Sequence, residues 1–270
     1  MIELALEDLV HDYPGGVRAL DGVTLRIGAG ESVALVGQNG SGKTTLVRHL
    51  NGLLRPTTGR VLVGGADAAG RRVSQLAAQV GLVFQDPDRQ IFAGTVRGEI
   101  EFGPRNVGLR GETLETAVLA ALTAVGLSGE EQTNPYDLGA SRRKLLAVAS
   151  VLAMGTPVLV LDEPTTGQDR NGVDRIRQVA ADARATGRTI IAVSHDLRFV
   201  ADTFERVIVM RAGRVVLDGS PEDAFASGNW ATLGETGLEP PRAALLASRL
   251  GLDRIVTEGA LVSALTETAA

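Results

Sequence analysis

The chain is 270 residues long, 44% hydrophobic and only 3% aromatic, so it can form a sizeable core built from Ala, Val, Leu and Ile. Its formal net charge of −5 speaks against the basic footprint of a nucleic-acid binder, and the lack of cysteine excludes disulfides and thiolate metal sites. The acidic start MIELALEDLVHDY lacks the pattern of a signal peptide, and no run approaches the roughly 18 apolar residues of a membrane span, so work at a membrane would need another chain for the membrane part.

In chain order, residues 2–10, 22–27 and 32–36 read as short strands, and 61–65 as another. Residues 72–79 suggest a short helix and 80–84 a buried strand. A different texture follows over 86–154, with Pro87, Pro104 and Pro135. Two helical patterns lie in it, 112–127 stopped at Gly126 and 141–154 with Ser141 as a plausible N-cap. The strand texture returns at 157–163, followed by an amphipathic helix over 171–187 and a strand over 189–195. Residues 206–219 read as a hairpin turning at Ala212-Gly213. Alternating strands and helices predict an α/β fold with a mainly parallel sheet and a helical insertion. The tail, 221–270, holds Pro240-Pro241 and two short helical patterns, 241–252 and 258–265.

The strongest local signal is GQNGSGKTT at 37–45, which fits G-x-x-x-x-G-K-[ST] between a strand and a helix. Gly37, Gly40 and Gly42 let the backbone turn tightly and aim N–H groups inward. The helix opening adds partial positive charge, Lys43 a full one, and the Thr44 hydroxyl suits Mg²⁺. A second element, VLVLDE at 158–163, puts Asp162 and Glu163 at the end of a buried strand, where open α/β sheets place ligands. Asp162 is expected to hold Mg²⁺ through water, and Glu163 to polarise an attacking water as general base.

Four further elements each have a bland reading alone. Tyr13 fits a turn aromatic, Gln85 a loop amide and His195 a strand-end histidine, while LGASRRK at 138–144 heads a helix. Their joint order resembles the ATP-binding cassette (ABC) ATPases over roughly residues 1–220. EPTTGQD at 163–169 and VSHD at 193–196 carry that resemblance further. Residues 82–109 closely resemble the Gln-loop region of energy-coupling factor (ECF) importer ATPases.

The resemblance implies a P-loop NTPase domain over 1–220, with an antiparallel β subdomain and a helical subdomain at about 86–154. Residues 221–270 become a C-terminal extension with a possible dimerisation role. Tyr13 would stack on adenine, and Gly37, Asn39, Gly40, Ser41, Gly42, Lys43, Thr44 and Thr45 would surround the phosphates of ATP. Thr44, Gln85 and Asp162 would serve Mg²⁺; Glu163, His195 and Gln85 would act in hydrolysis; and Asp169 would couple two sites across a dimer. Gly139 and Ser141 belong to the signature segment, which acts on ATP held by a second ATPase chain. That segment departs from the usual L-S-G-G-Q, reading Leu138, Gly139, Ala140, Ser141, Arg142. Ser141 keeps a hydroxyl two positions late, and Arg142 could add positive charge.

The implied partners are a second copy or paralogue of the ATPase, a transmembrane T component and a substrate-binding S component, with no nucleic acid. The implied location is the cytoplasmic face of the membrane, and the implied cargo is a vitamin or a transition-metal ion. The alternatives are an ATPase subunit of another importer or exporter, and a soluble ABC protein acting on nucleic acid. The last would call for tandem cassettes or a long coiled-coil insertion.

Overall fold

A computed structural model describes residues 2–268. Two sheets share one core. The first is antiparallel, in the order β2-β1-β4-β5, from β1 (Leu4–Tyr13), β2 (Val17–Ile27), β4 (Thr58–Val63) and β5 (Ala66–Asp67). The second has the order β10-β9-β3-β8-β7-β6, from β3 (Ser32–Val36), β6 (Val80–Val83), β7 (Val158–Asp162), β8 (Thr189–Val193), β9 (Arg206–Arg211) and β10 (Arg214–Gly219). Its pairs are parallel except for the β9–β10 hairpin at the edge. Strands β3, β7 and β8 are buried along their whole length, which is why they read as continuous apolar runs rather than alternating ones.

Between the sheets run Leu4, Leu6, Leu20, Ile27, Leu35 and Leu46, all fully buried. The opposite face of the six-stranded sheet packs on α6 (Arg170–Ala185) and on the helical subdomain α3 (Val96–Asn106), α4 (Gly111–Val125) and α5 (Ala140–Leu152). The shorter helices are α1 (Lys43–Leu50), α2 (Val73–Ala77), α7 (Leu197–Thr203), α8 (Pro221–Ala224) and α9 (Trp230–Glu235). The last two helices, α10 (Arg242–Arg249) and α11 (Glu258–Thr268), gather Ala243, Ala247 and Leu261 into a small cluster of their own. The rest of the tail is part of the main body: Phe225, Leu233, Leu238 and Val256 join its core. Ion pairs Arg198–Glu258 (2.8 Å) and Arg211–Glu235 tie the tail to the main body, and Arg254–Asp223 (2.6 Å) joins two parts of the tail to each other.

Several local expectations change. The first hairpin is longer than 2–10 and 22–27 suggested, because β-bulges break the alternation while pairing continues. Asp8 sits in one of these with φ +47. Gly22, at φ +73, reads like a turn yet lies within β2. Helix α3 escaped the pattern because Gly98, Gly103 and Pro104 weaken it. Thr95 nonetheless caps it, accepting from the Gly98 N–H at 3.0 Å, and Val96 and Ile100 bury its inner face. Helix α7 was also missed; Asp196 caps it through the Phe199 N–H at 3.0 Å. Ser141 is not the N-cap of α5: Gly139 holds that position and the helix begins at Ala140.

Candidate nucleotide site

Strand β3 delivers the chain into residues 37–42, and α1 leaves at Lys43. Two of the three glycines here, Gly37 and Gly42, are required by close approach. A Cβ on Gly37 would lie 2.3 Å from the Met210 carbonyl, and one on Gly42 would lie 2.4 Å from the Ala19 carbonyl. The loop is thus clamped between β9 and β2, with α1 presenting its unpaired first-turn N–H groups beside it. Lys43 Nζ donates to the carbonyls of Gly37 (2.7 Å) and Gln38 (2.9 Å) and to Ser41 Oγ (3.3 Å). Burial pushes this ammonium below the ordinary lysine range, against the pull of Glu163 and Asp162.

Strand β7 brings two carboxylates to the same sheet end. Thr44 Oγ1 donates to Asp162 Oδ1 at 3.2 Å. Burial raises the Asp162 carboxyl above its ordinary range, and the Thr44 hydroxyl only partly offsets that. Glu163 has φ +50, an uncommon place for a residue with a side chain, and its N–H donates to the Val193 carbonyl at 2.9 Å. Its Oε2 accepts from His195 Nδ1 at 2.7 Å. Since a carboxylate can only accept, this bond fixes the proton on Nδ1. The His195 side chain itself is 61% exposed, so its other nitrogen faces outward from the Glu163 contact.

A cavity of about 330 Å³ lies between the loop and the end of β7, lined by Tyr13, Asn39, Lys43, Thr44, Gln85 and Glu163 among others, whereas Gly37, Ser41, Asp162 and His195 are not part of its lining. Gly40, Gly42 and Thr45 also line it. The Tyr13 hydroxyl shares a hydrogen bond of 3.1 Å with Thr45 Oγ1, which ties the first hairpin to α1. Ser41 lies beneath the loop, where its hydroxyl meets Lys43.

The remaining candidates lie elsewhere on the same chain. Gly139 and Ser141 sit at the start of α5, where Ser141 Oγ donates to Gln168 Oε1 (3.0 Å) and Gln168 Nε2 donates back to the Ser141 carbonyl (3.1 Å). Arg142 pairs with Glu130 at 2.8 Å, so its charge is spoken for within the chain. Asp169 caps α6 through the Gly172 N–H at 2.7 Å. None of these four lines the cavity at the phosphate loop. Sequence reasoning missed Arg18, which also lines that cavity while paired to Asp12 (2.9 Å), and Lys144, buried under the Glu163 turn. Arg18 could have been found from its place in the hairpin after Tyr13; nothing in the sequence marked Lys144.

The arrangement has counterparts. Residues 20–166 match the family described as ABC transporter. The ECF transporter ATP-binding protein EcfA of Methanothermobacter thermautotrophicus is 39% identical over 93% of this chain and 80% of its own length. EcfA2 of Symbiobacterium thermophilum is 42% identical over 92% of this chain and 88% of its own. Other curated relatives are longer: the chain spans only 43% of a 42%-identical ABC transporter ATP-binding protein of Caldanaerobacter subterraneus subsp. tengcongensis. Among solved structures, cbiO1 of Clostridium perfringens, part of the transporter complex cbiONQ, has a TM-score of 0.75 at 35% identity, covering 91% of this chain and 98% of that one. A dimeric ATP-binding cassette bound to ADP and Pi also has a TM-score of 0.75, at 25% identity, covering 81% of this chain and 98% of that one. A phosphate loop clamped between two sheets, with paired carboxylates facing it from β7, therefore belongs here to a known lineage: the chain is a member of the ABC transporter family and an ABC ATPase.

Proposed function

We propose that the chain is the ATP-hydrolysing subunit of an ECF-type importer, seated at the cytoplasmic face of the membrane beneath a transmembrane T component. A separate S component would select the cargo, a vitamin or a transition-metal ion. The relatives named EcfA and the cbiO1 structure support this reading. Among the described residues no helix is long and apolar enough to cross a membrane, so the membrane part is assigned to other chains.

The observation that carries the proposal is an apolar groove at the edge of the helical subdomain. It encloses about 470 Å³ and is lined by Leu82, Phe92, Phe102, Val107, Val151 and Met154, among others. Phe92 and Phe102 meet edge to face at 4.7 Å and are both exposed. Open aromatic surface of this kind marks a docking site. The segment from Gln85 to Phe92 joins the groove to the nucleotide cavity and is held at fixed points. Gln90 accepts from the Phe84 N–H (3.0 Å) and donates to the Ala147 carbonyl (2.9 Å), while Glu99 accepts from the N–H groups of Phe92 and Ala93 (3.0 and 2.9 Å). A change at Gln85 therefore has a stiff route to the partner.

Chemically, Glu163 takes the proton of a water that attacks the γ-phosphorus, the bond to the ADP oxygen breaks, and His195 holds the Glu163 carboxylate in line. Lys43 and the loop N–H groups balance the phosphate charge, and Tyr13 provides the face for adenine. The residues fit Mg²⁺. The Thr44 hydroxyl and Asp162 carboxylate offer adjacent hard oxygens, and among the described residues no cation is in contact with the buried carboxylate. Gln85 adds an amide oxygen from the same cavity wall. Among the described residues no three acidic or histidine groups close around a metal, so water and phosphate oxygens would complete the shell. When bound, the ion neutralises phosphate charge.

Gly139, Ser141 and Asp169, standing away from their own chain's cavity, would act on ATP held by a second ATPase chain, a copy or a paralogue. The tail, 221–270, would help hold that pair through the exposed Leu246 of α10, Leu250 just after it, and Val262 and Leu265 of α11. The test of the importer reading is Phe92→Asp combined with Phe102→Asp in the assembled transporter. The expected result is lost association with the membrane component and lost uptake, with ATP binding retained. Full uptake by the double variant would overturn the docking assignment.

A further inference from the structure

Lys144 lies on α5, six residues after the signature begins, and is only 4% exposed. Its ammonium donates to the backbone carbonyl of Glu163 and, at 3.3 Å, to that of Thr166. Among the described residues no carboxylate lies within ion-pair distance of it. Glu163 and Asp162 act on it only at longer range, and burial dominates. A buried ammonium without a contacting counter-ion is a costly way to fill space; a methionine would occupy the same volume more cheaply. The charge stands at the one turn where the chain leaves β7 through a strained residue.

That turn is held from several sides. The Glu163 N–H is anchored to Val193 on β8 at 2.9 Å, and the carboxylate is met by His195 Nδ1 at 2.7 Å and by Thr166 Oγ1 at 3.4 Å. Lys144 alone among these contacts comes from the helical subdomain. Its helix is also tied at its first turn to the segment after Glu163, through the two hydrogen bonds between Ser141 and Gln168. The start of α5 and the Glu163 turn are thus one mechanical piece with two polar rivets, one at Ser141 and one at Lys144.

We propose that Lys144 is a positioning residue for ATP hydrolysis: by gripping the Glu163 and Thr166 carbonyls it keeps Glu163 in its left-handed conformation and passes movement of α5 to the general base. This rests on the assignment of Glu163 as that base. An ATP bound by the chain is touched by Glu163, not by Lys144, so loss of the ammonium affects turnover rather than nucleotide binding. A misplacement of the base by an ångström or less lowers kcat by about tenfold to a hundredfold.

The experiment compares steady-state MgATP hydrolysis by the full chain with that of Lys144→Met, Lys144→Arg and Glu163→Gln, alongside thermal unfolding and the KM for ATP. The expected result is a fall in kcat of about tenfold or more in Lys144→Met at unchanged KM, largely restored in Lys144→Arg. Should Lys144→Met not fold, Lys144→Leu, which also removes the donor, is read in the same way. Wild-type kcat in the methionine or leucine variant would overturn the assignment. So would a joint loss of kcat, ATP affinity and thermal stability that arginine does not repair, since that is the signature of a merely structural lysine. Glu163→Gln separates the two readings. Its normal turnover would remove the base itself, whereas an inactive Glu163→Gln beside a fully active Lys144→Met would remove only the role of Lys144.

Discussion

Gly42→Ala is the sharpest test of the claim that the antiparallel sheet braces the phosphate loop. Gly42 has φ +102, and a Cβ there would stand 2.4 Å from the Ala19 carbonyl oxygen and 2.9 Å from Leu20 Cδ2. Both neighbours belong to β2, whose backbone is fixed by its pairing with β1. The left-handed conformation alone costs a non-glycine residue about 1–2 kcal/mol. Forcing a methyl group against fixed backbone adds about 1–3 kcal/mol. Together they come to about 2–5 kcal/mol, a fall in melting temperature on the order of 10 °C for a chain of this size.

Gly40→Ala is the internal control. Its φ is +83, but nothing lies within 4 Å of its added Cβ, so only the conformational part applies, roughly half the shift or less. Thermal unfolding without nucleotide and equilibrium binding of MgATP are the assays. Because α1 begins at the next residue, relief of the clash must displace the helix start, and MgATP affinity should fall by about tenfold or more. Equal melting temperatures for Gly42→Ala and the natural chain would refute the bracing argument. Equal losses in the two variants would show that backbone sign, not close approach, sets the requirement.

Glu163→Gln should bind MgATP and lose about 10²-fold to 10⁴-fold in turnover, with solution mass reporting an ATP-dependent dimer; a persistent monomer would mean that a different ATPase chain is required. Asp162→Asn should raise the melting temperature in chelator, because burial already disfavours its charged form, and should abolish the stabilisation given by MgATP; a lower melting temperature would contradict that account. His49 is buried with its Nδ1–H donated to the Thr45 carbonyl at 2.7 Å, and burial holds it below the ordinary value of 6.5. The unfolded chain therefore takes up the proton first, so this contribution is complete above pH 6.5 and is lost as pH falls below it; His49→Leu should flatten the melting temperature between pH 7.5 and about 5.5. Leu246→Asp with Val262→Asp should weaken any nucleotide-independent dimer while leaving the melting temperature near that of the natural chain, measured by sedimentation.

What the sequence determined by itself was whatever depends on local spacing. The phosphate loop was legible because its glycines, Lys43 and Thr44 must follow one another between a strand and a helix. Strands β3, β7 and β8 were legible because a parallel sheet buried on both faces needs unbroken apolar runs. Asp162 and Glu163 could be placed from the end of such a run. Helices α3 and α7 could not be read, since caps at Thr95 and Asp196 and burial against neighbouring helices outweigh the glycines and proline of one and the shortness of the other. Tertiary structure alone decided which polar groups meet. It spent the Ser141 hydroxyl on Gln168 and the Arg142 charge on Glu130, bonded Tyr13 to Thr45, and turned Phe92 and Phe102 outward together. It also slid Lys144 under the turn at Glu163, 19 residues away in sequence. Such pairings depend on how helices and sheets are stacked, and a linear pattern carries the period of an element but not the identity of what lies across from it.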